Sequence, residues 1–171
     1  RTPDQSGASA VTRTAIYDDA IRAASAKYLP WDWRWIKAQL VAESALNPHA
    51  LSSAGACGIA QFMPDTWTDA LVNLGLPADT DPFDPQAGIL ACCWYMAAMR
   101  RVWRTPRPED DRRRLAQASY NAGQGNLLHA QRLADYASDY ATIVAHLPPV
   151  TGIANARQTT DYVARIESIY A

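Results

Sequence analysis

Lysine is nearly absent from this chain. Of 16 basic residues 14 are Arg, with only Lys27 and Lys37 as exceptions, and 17 Asp and Glu bring the net charge to −1. A globally basic field of the kind that draws nucleic acid is therefore excluded. Metal-binding side chains are equally sparse. Cys57, Cys92 and Cys93 form an odd set without ligand spacing, and His49, His129 and His146 are scattered, so no zinc-type cluster is legible and no metal cofactor is expected. Adjacent Cys92 and Cys93 would diverge on a helix. A bridge from Cys57 to one of them stays open, with buried free thiols the favoured state. No apolar run approaches the roughly 18 residues of a membrane span. The opening Arg-Thr-Pro-Asp-Gln-Ser-Gly does not read as a secretory signal, and without an initiator Met a processed or trimmed chain is expected. Glutamate is the last scarcity: Glu43, Glu109 and Glu167 are the whole set.

What is present is a strong helical period. At 171 residues and 49% hydrophobic, the chain has material for one well-filled core. Residues 1 to about 12 are small and polar and read as a loose leader, which leaves 13–171 as one domain. Ile16, Ala20, Ile21, Ala24 and Tyr28 form a stripe that ends at Pro30. Asp32 caps a second helix to about Leu46, where Asn47-Pro48 stops it. A loop runs to Met63, and Pro64 opens a short helix to about Asn73. Asp84-Pro85 starts the longest helix, to about Trp103, carrying Ile89, Cys92, Met96 and Met99. Helices from about Arg112 to Tyr120, Asn126 to Leu133 and Ser138 to His146 follow. Thr160 caps the last, with Tyr162, Val163, Ile166 and Ile169 inward. The expectation is a compact all-α domain of seven or eight short helices.

Seven Arg fall between Arg100 and Arg114, broken by Glu109, Asp110 and Asp111. Such a run reads as a solvated helix end, or as a surface that steers the protein toward an anionic polymer. Six Trp and eight Tyr against two Phe favour rings with a polar handle, which suit sugar grooves and ordinary cores alike.

Glu43 stands out on the helical wheel. It lies within about 20° of Ile36 and about 60° of Leu40, on the apolar stripe. Burial there disfavours the charged form and would suit a general acid; a structural ion pair inside the core is the competing reading.

The residues after Glu43 carry a resemblance. Glu43-Ser-Ala-Leu-Asn-Pro-His-Ala-Leu-Ser52, Gly55-Ala-Cys-Gly58-Ile-Ala-Gln61-Phe-Met-Pro64, Ser119-Tyr120-Asn121-Ala122-Gly123 and Gln158-Thr-Thr-Asp-Tyr162-Val resemble, in order, the motifs of the soluble lytic transglycosylase (SLT) family. That likeness implies a lysozyme-like fold of the goose type and an enzyme that cleaves peptidoglycan glycan strands between N-acetylmuramic acid and N-acetylglucosamine. It would act without water, leave 1,6-anhydromuramyl ends and need no cofactor. By the same resemblance Glu43 is the catalytic acid and then base. Ser52, Gln61 and Met63 hold substrate, Tyr120 and Asn121 face the carboxyl, Gln158 contacts substrate, and Tyr162 closes the site from the last helix. Each has a structural alternative: Ser52 as a turn cap, Gln61 as a tie to loop backbone, Met63 and Tyr162 as core, Asn121 as a helix end. Two departures are visible. Ile59-Ala60 replaces the family's Leu-Met, and Gln158 stands where many relatives carry Glu.

Two rival functions follow from the same residues. One is a hydrolytic muramidase with Asp65 or Asp69 activating water. The other is a peptidoglycan-binding or assembly domain without turnover. Action on the bacterial wall, in periplasm or outside the cell, as a monomer and without nucleic acid, is the expected setting. Bacterial envelope enzymes, secretion-system wall openers and phage lysins or virion proteins all remain open as origins.

Overall fold

A computed structural model describes residues 15–171, so the expected leader, residues 1 to about 12, lies outside the described residues. Nine helices appear among the described residues, and no strand pairs into a sheet. Cα proximity divides the chain into two compact units, one through Cys93 and one from Trp94 onward.

The first unit begins with α1 (Asp18–Tyr28) and α2 (Arg34–Ser44). Asp18 and Asp19 sit in the first turn of α1 and Lys27 in its last, the order that complements a helix dipole. Ile16, read as the first residue of the stripe, lies in a turn ahead of α1 and is exposed. An ion pair from Lys37 to Asp18 at 2.6 Å and the Arg22 guanidinium 4.8 Å above the Trp33 ring tie α1 to α2. Asp32 does accept the Arg34 N–H, at 3.0 Å. The helix α2 ends two residues sooner than expected, because Ala45 and Leu46 both turn left-handed, at φ 55° and 60°. Their N–H groups return to Val41 and Leu40, closing the end in the manner of a Schellman turn.

Pro64 opens α3 (Pro64–Leu74) as expected, and Gly75 at φ 65° closes it. Trp67 is buried and donates its Nε1–H to the Thr80 carbonyl, anchoring α3 to the connection that follows. Asp84 then caps α4 (Pro85–Val102), accepting from Gln86 and Ala87. Buried Ile89, Cys92, Met96 and Met99 follow the expected period, and the same helix runs through the boundary between the units.

The second unit is built on α5 (Glu109–Ala122), which touches α6 (Gln124–Leu133), α7 (Tyr140–Ala145) and α9 (Ile153–Tyr170). Trp103, Leu115, Ala118, Leu127, Ile143, Leu147 and Val163 form its core. The one polar edge in that core is satisfied: Trp103 Nε1–H donates to Ser119 Oγ, which donates to the Leu115 carbonyl. The eighth helix, α8 (Pro148–Thr151), is a single turn absent from the expected set. α9 starts at Ile153, and Thr160 is a mid-helix residue bonded to the Arg157 carbonyl, so it caps nothing. Of the four side chains expected inward there, Val163 and Ile166 are buried, Tyr162 is half-buried and Ile169 is exposed.

Candidate active site

The candidate residues fall in both units. Glu43, Ser52, Gln61 and Met63 belong to the first; Tyr120, Asn121, Gln158 and Tyr162 belong to the second.

Glu43 occupies the last turn of α2 and is half-buried, next to a stripe in which Ile36 and Leu40 are closed to solvent. Its neighbour Ser44 donates to the Ile59 carbonyl at 2.7 Å, which fastens the helix end to the loop beyond. That loop, residues 47–63, lacks regular structure yet is densely bonded. Cys57 and Phe62 exchange both backbone bonds, at 2.9 and 3.0 Å, and Gly58 N–H reaches the Ala50 carbonyl at 2.9 Å. Gly58 adopts φ +76°, and a Cβ there would stand 2.1 Å from the Pro82 carbonyl oxygen, so only glycine fits.

Ser52 and Gln61 are part of this bracing. Ser52 Oγ accepts the Ala56 N–H at 2.9 Å, and Gln61, at φ 52°, donates its Nε2 hydrogens to Ala50 and Gly58 carbonyls at 3.2 and 2.9 Å. The turn-cap and backbone-tie alternatives thus describe what these side chains do. Each still keeps one group unspent among the described residues: the Ser52 hydroxyl hydrogen and the Gln61 Oε1 acceptor. Met63 is exposed just before α3, and is not core. Asp65 and Asp69, the acids a hydrolase would need, are exposed on α3.

In the second unit, Tyr120 stands edge-on to Tyr95 with centroids 5.3 Å apart. Asn121 is exposed near the end of α5, where its Oδ1 meets Thr159 Oγ1 at 3.0 Å. Gln158 shares with Asn121 a cavity of about 340 Å³, lined also by Asn126, Thr151, Asn155 and Thr159. No ionisable side chain lines it. Asn126, Thr151, Asn155 and Thr159 escaped the sequence reading. For the two Asn the signal was a local repeat, Gly123-x-x-Asn126 and Gly152-x-x-Asn155. In each the glycine takes a left-handed φ, 84° or 85°, and the Asn amide donates four residues back, at 2.8 or 2.9 Å. Half-buried Cys57 departs from the expected buried thiol, while Cys92 and Cys93 are buried and all three are free. No three His, Cys, Asp or Glu side chains gather as metal ligands among the described residues. Likewise no helix there is long and apolar enough to cross a membrane.

Residues 19–143 match the family model of the transglycosylase SLT domain. The chain belongs to that family. A membrane-bound lytic murein transglycosylase F from Pseudoalteromonas translucida is 30% identical over 126 residues, covering 69% of this chain and 25% of the relative. Another transglycosylase F, from Desulfosudis oleivorans, is 37% identical over 106 residues, 61% of this chain and 21% of its own. Among solved structures, the 70 kDa soluble lytic transglycosylase of Escherichia coli aligns with a TM-score of 0.73 at 23% identity, over 91% of this chain and 24% of that one. An inactive mutant of the Pseudomonas aeruginosa lytic transglycosylase Slt gives 0.72 at 22%, with 91% and 24% covered. The SLT-family chain therefore has the lysozyme-like fold of these enzymes, and spans about a quarter of the length of the relatives it matches.

Proposed function

We propose that this SLT-family chain is the catalytic domain, from residue 13 on, of a peptidoglycan lytic transglycosylase. The observation that carries the reading is the position of Glu43: a half-buried carboxyl beside a closed apolar stripe, on a helix end that Ser44 fixes to a bonded loop. Protonated Glu43 gives its proton to the oxygen between N-acetylmuramic acid and N-acetylglucosamine. The substrate's own N-acetyl oxygen supports the cationic sugar carbon, as in substrate-assisted glycosidases. Glu43 carboxylate then takes the proton of the muramyl C6 hydroxyl, which closes on C1. Water is not consumed, and the product ends in 1,6-anhydromuramic acid.

Around that acid, Ser52 offers a hydroxyl hydrogen, Gln61 an acceptor oxygen and Met63 an exposed thioether for a sugar face. Tyr120, Asn121, Gln158 and Tyr162 supply the remaining contacts, with Gln158 uncharged. The domain works as a monomer on the bacterial wall. The test is Glu43→Gln. Release of soluble muropeptides from purified sacculi stops while sacculus binding persists, and mass spectrometry of wild-type products finds ends lighter by one water than hydrolysis gives. Hydrated ends would identify a muramidase, and undiminished release by Glu43→Gln would move the acid elsewhere.

A further inference from the structure

The arginine run between Arg100 and Arg114 has no part in that chemistry, and the structure divides it into two groups. Four arginines are internal staples. Arg100 and Arg112 share Glu109, at 2.6 and 2.8 Å. Arg113 and Arg114 share Glu167, at 3.2 and 2.7 Å, with Asp110 and Asp111 further out. Those four acids are the complement of those four bases.

Arg101, Arg104 and Arg107 are left over. None has a carboxylate within 4.0 Å among the described residues. Arg101 and Arg104 are exposed, at the last turn of α4 and just beyond it. Arg107 lies 5.2 Å above the Trp103 ring and gives its Nε–H to the Thr105 carbonyl at 3.1 Å. Its two terminal nitrogens are shielded from solvent and donate to nothing among the described residues. An unsatisfied guanidinium fork is costly, and burial together with nearby Arg112 holds its pKa below the ordinary value. The two acids that act on it through space do not bond it: Asp111 faces Arg114 at 3.9 Å, and Asp139 is committed as the cap of α7, taking the Thr142 N–H at 2.8 Å. The fork geometry matches a carboxylate, which it can take through two parallel bonds.

We propose that Arg101, Arg104 and Arg107 form a second contact with the wall, one that binds the carboxylates of peptidoglycan stem peptides. The choice of polymer rests on the proposed function: the substrate of a glycan-cleaving domain carries such groups along its length, and the surplus cations complement them. Arg107 engages by swinging its guanidinium off Trp103, whereas Arg101 and Arg104 are ready as they stand. The patch raises affinity for intact wall without altering the chemistry at Glu43.

The experiment compares Glu43→Gln with the same protein carrying Arg101→Gln and Arg104→Gln, two exposed changes that leave the core intact. Each is sedimented with intact sacculi, and with sacculi whose carboxylates have been converted to amides. The double change weakens binding to intact sacculi by about 2- to 30-fold at low salt, the range for two exposed ion pairs, and by less at high salt. On amidated sacculi the two proteins bind alike. Arg107→Gln in the same background adds to the loss. Equal binding to intact sacculi would overturn the proposal. So would a deficit that survives amidation, which would point to wall phosphates, or a tighter hold on duplex DNA than on sacculi. Because binding is read without turnover, failure of the patch and failure of the Glu43 mechanism give separate signatures.

Discussion

Gly58→Ala is the sharpest probe of how the loop beside Glu43 is built. The backbone there holds φ +76°, a region that costs an L side chain about 1–2 kcal/mol. A Cβ would also meet the Pro82 carbonyl oxygen at 2.1 Å and its carbon at 3.3 Å, both backbone atoms that cannot rotate away. Relief requires a shift of about 1 Å in one of two segments, and overpacking of this kind costs about 1–3 kcal/mol. The sum, about 2–5 kcal/mol, corresponds to a fall in Tm of roughly 4–20 °C for a chain of this size. Gly55→Ala is the matched control. Gly55 sits at φ +90° with nothing within 4 Å of a Cβ, so it carries the conformational term alone, about 1–2 kcal/mol. Any gain from restricting the unfolded chain is common to both variants and cancels. Thermal unfolding followed by circular dichroism separates the two. If the variants melt together, the close approach to Pro82 is not a constraint in solution and the argument for Gly58 fails.

Three further outcomes follow from buried polar groups and thiols. Gln39 is closed to solvent on α2, and neither Oε1 nor Nε2 has a hydrogen-bond partner among the described residues. Gln39→Met therefore raises stability by about 1–3 kcal/mol, and a lower Tm would show the amide to be satisfied. Burial opposes charge on Glu167, but hydrogen bonds from Arg114 and Arg113 outweigh it and hold the carboxyl below its ordinary value. Its contribution is present above the unfolded pKa, about 4.3, and is lost as pH falls through the native value, so Glu167→Gln flattens the acid limb of a urea-midpoint against pH curve. An unchanged limb would discount the pairing. Burial pushes the Cys93 thiol up to about 12 despite Ser25 beside it. Iodoacetamide at neutral pH then labels half-buried Cys57 in the native protein and Cys92 and Cys93 only after unfolding, as peptide mass mapping would report.

The helices whose ends carry their own chemistry were legible from sequence. Pro64 at the start of α3 and Asp84 before α4 act through neighbours two or three residues away, a range that a single sequence displays. The start of α9 was not. Gly152 and the Asn155 amide begin that helix seven residues ahead of Thr160, in about two turns whose exposed Asn, Arg and Gln hide its period. α8 was missed because Pro148-Pro149 reads as a break, although proline is tolerated in a first turn. Three acids at the head of α5 complement its dipole and start it at Glu109, ahead of the expected Arg112. At the site, the wheel placed Glu43 on its stripe because both lie on one helix. The bonds of Ser52 and Gln61 depend on how the loop closes, and the Asn121 contact with Thr159 joins residues 38 apart.

The loop after Glu43 also bears on the entropy of binding. Ordering a backbone residue costs about 1–2 kcal/mol, and a segment of this length left free would charge that to every encounter with substrate. The Cys57–Phe62 exchange, the Gly58–Ala50 bond and the two ties from Gln61 settle it during folding instead. Under the proposed function, a sugar that reaches Ser52 and Gln61 meets groups already in place, so the affinity of those contacts is not spent on arranging them.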